Sequence, residues 1–201
     1  MEKWKVKRRP EDIFVKPEFY YTDEEIKRYA KSKNIEKKQK KLTERLLQLL
    51  KLNPPKKIID LGCGVGFSSI YLKEKGFDVI GVDVIEKMLE IARNKGIKVK
   101  KADMRELDKI FKKETFDAVI SVSALQWIPL KDIKKVAKSI FKILKKEGKV
   151  GIQFYPKSYK EMINIGKIFK NVGFNVKFVV DNPDIPKKRV IFMICKKFKN
   201  L

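Results

Sequence analysis

From residue 57 onward short apolar runs and amphipathic segments alternate, and that order admits few folds. KIIDL (57–61) reads as a buried strand and FSSIYLKEK as a helix stopped at Gly76. DVIGVD is a second strand, IEKMLEIARNK a helix stopped at Gly96, IKVKKAD a third strand and FDAVISVS a fourth. An amphipathic helix is expected over 131–147, with Ile133, Val136, Ala137, Ile140 and Leu144 on one face and Gly148 closing it. KVGIQFY follows as a fifth strand, 158–171 as a helix before Gly173, and FNVKFVV and RVIFMICKK as two strands joined by DNPDIPKK. Such alternation predicts an α/β fold with a doubly wound, mostly parallel sheet of seven strands. A parallel crossover normally needs a helix between its strands, so the last strand, reached without one, should run antiparallel.

Upstream, two helices are expected within 22–52. Thr22 suits an N-cap, with Glu25 completing a capping box. Ile35, Leu42, Leu46, Leu49 and Leu50 then recur at helical spacing until Asn53-Pro54-Pro55. Residues 1–53 thus read as an N-terminal helical arm or lid, and 54–201 as the α/β core of a single domain.

The sequence IIDLGCGVGF places Gly62, Gly64 and Gly66 between the first strand and the following helix. A turn there must let a ligand approach the backbone closely, which a side chain would obstruct. Asp83 ends the second strand, where a carboxylate can accept from both hydroxyls of a ribose. A dinucleotide fingerprint, G-x-G-x-x-G, would need glycine at 67, and that residue is Phe67. The pattern present is D-x-G-x-G-x-G from Asp60. It resembles the loop of class I S-adenosylmethionine-dependent methyltransferases, whose Rossmann-like sheet also ends on an antiparallel strand. An acidic Asp60 suits the ammonium end of that cofactor and would repel a pyrophosphate. Asp103, with Met104 beside it, suits the adenine amino group and ring face. The resemblance implies a cofactor set of Asp60, Gly62, Cys63, Gly64, Gly66, Asp83, Val84, Met88, Asp103, Met104 and Ser121. Cys63 is expected to contribute only its backbone.

Composition restricts the chemistry further. The chain has no histidine, which removes imidazole bases and histidine metal ligands, and Cys63 and Cys195 form no metal-ligand spacing. No metal is expected. No apolar run approaches the ~20 residues of a membrane span, and MEKWKVKRRPEDIF lacks the apolar stretch of a secretion signal, so a cytoplasmic setting is expected. Charge is the strongest bulk signal: 49 basic residues stand against 25 acidic. Residues 1–57 carry 18 basic and 9 acidic groups, 58–120 carry 12 and 11, and 121–201 carry 19 and 5. A near-neutral centre with basic flanks suits a polyanionic partner.

The fourth strand runs into SVSALQWIP, where the methyl acceptor is presented in the methyltransferase fold. There is no Asn/Asp-Pro-Pro-aromatic motif for exocyclic amines, and neither cysteine is placed to attack a cytosine. An acceptor already nucleophilic at neutral pH remains, either a carboxylate or a guanine N7 lone pair, with alignment supplying most of the catalysis. Gln126 is a candidate hydrogen-bonding group for it and Trp127 a stacking group.

RPEDIFVKPEFYYTDEEIKRYAKSKNI with LTERLLQLL, then SALQWI, QFYPKS and VVDNP, resemble the small-subunit (18S-type) ribosomal RNA guanine-N7 methyltransferase family across nearly the whole chain. That resemblance implies ribosomal RNA in a small-subunit precursor as substrate. It implies an arm at 17–41 closing over the cofactor through Tyr21 and Tyr29. It also implies Gln153, Tyr155 and Pro156 bordering the acceptor pocket, and a small zinc-binding activator protein on the sheet edge at IKVKK. Two other readings stay open: a carboxylate O-methyltransferase, which ends the same strand in LQW, and an RNA-binding assembly factor whose methyl transfer is incidental.

Overall fold

The computed structural model describes residues 9–198; the reading of residues 1–8 as free of a secretion signal lies outside them. Seven strands form one sheet: β1 (Lys57–Leu61), β2 (Asp78–Asp83), β3 (Lys98–Lys101), β4 (Phe116–Val122), β5 (Leu144–Phe154), β6 (Phe174–Asp181) and β7 (Val190–Lys197). Their order is β3-β2-β1-β4-β5-β7-β6. β1 to β5 pair in parallel, and β7 inserts between β5 and β6, antiparallel to both. The expected antiparallel last strand is therefore present.

The helices are α1 (Pro17–Tyr20), α2 (Asp23–Lys31), α3 (Lys33–Leu50), α4 (Phe67–Glu74), α5 (Glu86–Asn94), α6 (Ile133–Ile143) and α7 (Tyr159–Val172). Alternate residues of the central strand face opposite layers. Ala118, Ile120 and Val122 meet Leu42, Leu46 and Leu50 of α3 and Leu72 of α4. Val119 joins the cluster formed by Ile133, Val136, Ala137 and Ile140 of α6 and Met162, Ile165 and Phe169 of α7. So does Phe116, which lies before a register shift and outside the alternation. Burying each of the three α3 leucines is worth roughly 2 kcal/mol as an upper bound.

Two boundaries differ from expectation. α6 ends at Ile143, and 144–147 belong to the sheet rather than the helix. Leu144 pairs with Phe116, and the register then jumps so that Lys149 pairs with Ala118. Gly148 is needed inside this bulge because a Cβ there would lie 2.5 Å from the Leu144 side chain and 2.8 Å from the Lys145 carbonyl. Residues 9–53 also divide into two parts. α3 is a layer helix of the sheet, and only the segment before it reaches over the strand ends. Thr22 does cap α2, accepting from the Glu25 amide, but the Glu25 carboxylate accepts from the Tyr20 hydroxyl and Arg28 instead of closing a capping box.

Candidate functional site

A cavity of about 460 Å³ opens at the carboxyl ends of β1, β2 and β4. Its floor is the glycine turn. The Gly62 and Cys63 amides donate to the Val82 carbonyl at 2.8 and 3.0 Å, locking the turn to β2. Gly62 (φ +71°) cannot bear a side chain: its Cβ would stand 2.3 Å from that of Ala124, in the turn that leaves β4. Gly64 (φ +52°) would meet only the Met88 sulfur at 3.5 Å, so its free side faces open space.

Asp83 accepts from the Gly64 amide at 2.9 Å and the Ile85 amide at 3.0 Å, one bond to each carboxylate oxygen. Burial pushes its carboxyl up, and the Ile85, Gly64 and Val84 amides hold it down in part. Val84 and Met88 line the same wall. On the next wall burial raises the Asp103 carboxyl, but Arg105 outweighs it and keeps the group ionised below the usual range. The Arg105 amide and guanidinium donate to Asp103 at 2.5–3.0 Å, and its Nη1 reaches Asp132 at 3.2 Å. Met104 lies alongside.

The roof comes from the segment before α3. Tyr21 and Tyr29 line the cavity, and burial pushes both phenols above their ordinary range. Phe14, Tyr20, Trp127, Tyr21, Tyr29 and Phe67 form a chain of aromatic contacts with centroids 5.5–6.0 Å apart. Trp127 stands in its middle, in a 3-10 turn over Leu125–Trp127. Its ring lines the cavity and also holds the two arm tyrosines.

Other expected residues stand behind the cavity wall. Asp60 alternates with Ile59 and Leu61, so it turns toward α4, where its Oδ2 accepts from the Ser69 hydroxyl at 2.6 Å. Burial pushes it up to about 7. Ser121 is buried and donates to the Leu61 carbonyl at 2.8 Å, tying β4 to β1. Gly66 (φ +87°) begins α4, where a Cβ would press on Ala92 at 3.1 Å; its role is to let α5 approach. The Cys63 side chain is buried against Gly81, and burial with the nearby Asp83 and Asp60 charges pushes its thiol up.

At the end of β5 the expected acceptor border, Gln153, Tyr155 and Pro156, does not line the cavity. Gln153 is fully buried; its Oε1 accepts from the Ser123 hydroxyl at 2.8 Å and its carbonyl from the Ser123 amide at 2.9 Å. Ser123, at φ +58°, lines the cavity in its place. Tyr155 seats the arm: Arg9 lies 4.3 Å over its ring and donates to its carbonyl at 3.2 Å. Pro156 is buried beside it. Gln126 donates through Nε2 to the Ser123 carbonyl at 2.8 Å, while its Oε1 is buried with no hydrogen-bond partner.

Ser123, Arg105, Asp132 and Glu18 are among the cavity residues that sequence reasoning missed. A left-handed serine leaves no periodic trace, but Arg105 two residues after a strand-end aspartate was a usable signal.

This arrangement fits S-adenosylmethionine by its charges. Four carboxylates (Asp83, Asp103, Asp132 and Glu18) and three cations (Lys16, Arg105 and Lys131) line the cavity. Arg105 pairs with Asp103 and Asp132, whereas Asp83 is met by backbone amides, so its charge attracts a cationic cofactor and repels a pyrophosphate. A methyltransferase-domain family model matches residues 58–148. The chain is 34% identical over 190 residues to the 18S rRNA (guanine(1575)-N(7))-methyltransferase of Saccharomyces cerevisiae, covering 88% of this chain and 68% of that protein. It is 30% identical over 199 residues to the 18S rRNA (guanine-N(7))-methyltransferase of Schizosaccharomyces pombe, covering 92% and 73%. Among solved structures, a Pyrococcus horikoshii protein superposes with a TM-score of 0.71 at 21% identity, over 90% of this chain and 98% of that one. One chain of the complex between the Haloferax volcanii Trm112 methyltransferase activator and a methyltransferase superposes at 0.69 and 16% identity, over 87% and 98%. These two likenesses establish the fold.

Proposed function

The chain belongs to the family of 18S rRNA (guanine-N(7))-methyltransferases, and we propose on that premise that it methylates guanine N7 in small-subunit ribosomal RNA. S-adenosylmethionine, when bound, supplies an electrophilic methyl group. Asp83 is placed to accept from the ribose hydroxyls, Asp103 to accept from the adenine amino group, and Gly62 and Gly64 to leave room for the methionine end. Val84, Met88 and Met104 provide apolar walls, and Tyr21 and Tyr29 cover the cavity against water. Asp60, Cys63, Gly66 and Ser121 support this site from behind.

The acceptor assignment rests on the identity to 18S rRNA (guanine-N(7))-methyltransferases over most of the chain. Gln126, which is not among the residues lining the cavity, adds one observation to it. Its donor is engaged by the Ser123 carbonyl, so its remaining capacity is a buried acceptor oxygen. A guanine offers N–H donors on its Watson–Crick edge; a carboxylate offers only lone pairs, which that oxygen would repel. The acceptor-side wall of Ser123, Trp127, Ile128 and Pro129 carries no general base, and N7 needs none. The segment 9–31 packs on this wall through Tyr20 and Tyr21 against Trp127, which supports reading it as the lid and the remainder as the catalytic core.

The H. volcanii neighbour, a complex with a methyltransferase activator, supports an activator partner here, for which we propose a small zinc-binding protein. β3 is one of the two edge strands, with Val99 half-buried between exposed Lys98 and Lys100. Augmentation of that edge is the proposed docking mode, with the activator aiding rather than being essential. Among the described residues no helix is long and apolar enough to cross a membrane; we place the protein in the cytoplasm.

Label transfer from methyl-tritiated S-adenosylmethionine to undermethylated small ribosomal subunits tests the assignment. Label should appear in the RNA and be released by the mild cleavage specific for 7-methylguanine. Label confined to small acids would replace this reading with carboxylate methylation. Subunit maturation rescued equally well by a chain unable to bind cofactor would make RNA binding the primary task.

A further inference from the structure

A second feature lies outside the cavity. α3 and α4 enclose an open groove of about 520 Å³ lined by Lys33, Lys37, Lys40, Lys41 and Lys75. Two glutamates share it. Glu36 is engaged by Lys33 at 3.2 Å and Lys40 at 3.3 Å, and Glu44 sits at the Tyr71 hydroxyl. Five lysines against two carboxylates leave the groove net positive. Lys37 and Lys41 have no carboxylate within ion-pair distance among the described residues.

The spacing is informative. Lys33, Lys37 and Lys41 follow one another at i, i+4 and i+8, all exposed, so they form one row with a rise of about 6 Å between charges. Like charges at this spacing repel and weaken a helix; a glutamate at any of the three positions would have strengthened it. The row matches the separation of successive phosphates along a nucleic-acid strand. Tyr71 forms the opposite wall, half-buried, with the Lys75 ammonium 5.3 Å over its ring. An aromatic face among lysines is the combination that holds single-stranded nucleic acid, the ring stacking on a base and the ammonium groups neutralising phosphates.

Position links the groove to the site. The row begins two residues after α2, whose Tyr29 roofs the cavity. On the same helix Lys38 lies 5.7 Å from the Tyr155 ring at the end of β5, where Arg9 also stands. Lysines of α3 thus stand both in the groove and beside the residue that follows β5.

We propose that the groove between α3 and α4 binds the phosphodiester backbone of the RNA strand whose guanine enters the cavity. The inference rests on the ribosomal RNA reading above. A K33E/K37E/K41E chain, altered only at exposed positions, tests it, with K33Q/K37Q/K41Q as a milder form should reversal disturb folding. The control is K134E/K138E/K146E, which makes the same change in net charge at exposed positions on and just after α6, across the sheet.

RNA affinity is measured against salt with a transcribed small-subunit fragment, alongside methyl transfer and S-adenosylmethionine binding. Loss of three phosphate contacts should lower RNA affinity at least tenfold at 0.1 M salt. The log–log salt slope should fall by about 2, at about 0.7 per contact for a single strand. The KM for RNA should rise while cofactor affinity and kcat at saturating RNA stay unchanged. Equal losses in the groove variant and the control, or no loss in either, would overturn the groove while leaving RNA methylation intact. Absence of RNA binding and RNA methylation in the unaltered chain would overturn the ribosomal RNA reading and the groove with it.

Discussion

Gly62→Ala probes how the cofactor turn and the acceptor wall depend on each other. The native φ of +71° is left-handed, which costs a residue bearing a Cβ about 1–2 kcal/mol. The new methyl would also stand 2.3 Å from the Ala124 Cβ, whereas carbon atoms rest about 3.5–4.0 Å apart. More than 1 Å of movement is required, and the turn leaving β4 cannot supply it easily. Ser123 in that turn is held twice by Gln153, and Trp127 is held by two tyrosines. Overpacking of this kind costs about 1–3 kcal/mol. The total, about 2–5 kcal/mol, should lower Tm by roughly 5–15 °C in a chain of this size. Ala124→Gly in the same chain removes the offending methyl and leaves the Ala124 Cα at 3.7 Å, an ordinary contact. The double variant should therefore recover the steric part, a coupling of about 1–3 kcal/mol, and retain only the backbone cost. Calorimetric melting of the four chains, with titration of S-adenosylmethionine, measures both effects. A Gly62→Ala chain with unaltered Tm and cofactor affinity, or strictly additive losses in the double variant, would refute the reasoning.

Three further outcomes are expected. Asp83→Asn should weaken S-adenosylmethionine binding about 10–100-fold, roughly 1.4–2.8 kcal/mol, because the new amide turns a donor toward either the Gly64 or the Ile85 N–H; calorimetric titration checks this. Asp60 gives the stability a pH dependence. Burial pushes it up to about 7, so between the ordinary carboxylate range near 4 and about 7 the folded chain keeps a proton that the unfolded chain releases. Its contribution is therefore most favourable below about 4, declines as pH rises through that window and levels off above it. Asp60→Asn, which keeps the acceptor for Ser69, should flatten Tm against pH, melting above the unaltered chain at pH 8 and converging with it at low pH. Trp127→Ala should release the arm, seen as faster proteolysis within residues 14–22 and a raised KM for cofactor, while Trp127→Phe retains most of both.

Much of the fold was legible because its signals are local. The glycine turn followed strand KIIDL, and Asp83 closed strand DVIGVD, so period and punctuation placed both at the cavity. Asp60 and Ser121 were harder. Strand parity sets Asp60 apart from Ile59 and Leu61, but it does not say which face meets the ligand; the position of α4 decides that. The end of α6 was misplaced because Leu144 continues the helical spacing, while its pairing with Phe116 is a long-range contact. Trp127 lines the cavity, yet its contacts with Tyr20 and Tyr21 cross about a hundred residues of chain and leave no trace in periodicity. Tyr155 and Gln153 lie at the end of β5 but do not line the cavity, because their contacts are with Arg9 and Ser123.

The position of Trp127 also gives the molecule an optical readout of its own. The chain has two tryptophans, and Trp127 alone lies within the described residues. Its indole is in contact with Tyr20 and Tyr21, at centroid separations of 6.0 and 5.9 Å. At that range light absorbed by the tyrosines is passed to the indole, which the two rings partly shield from water. Withdrawal of the arm would weaken the transfer and shift the emission to the red. In a Trp4→Phe background, intrinsic fluorescence would follow opening and closing of the roof during turnover, with no dye attached.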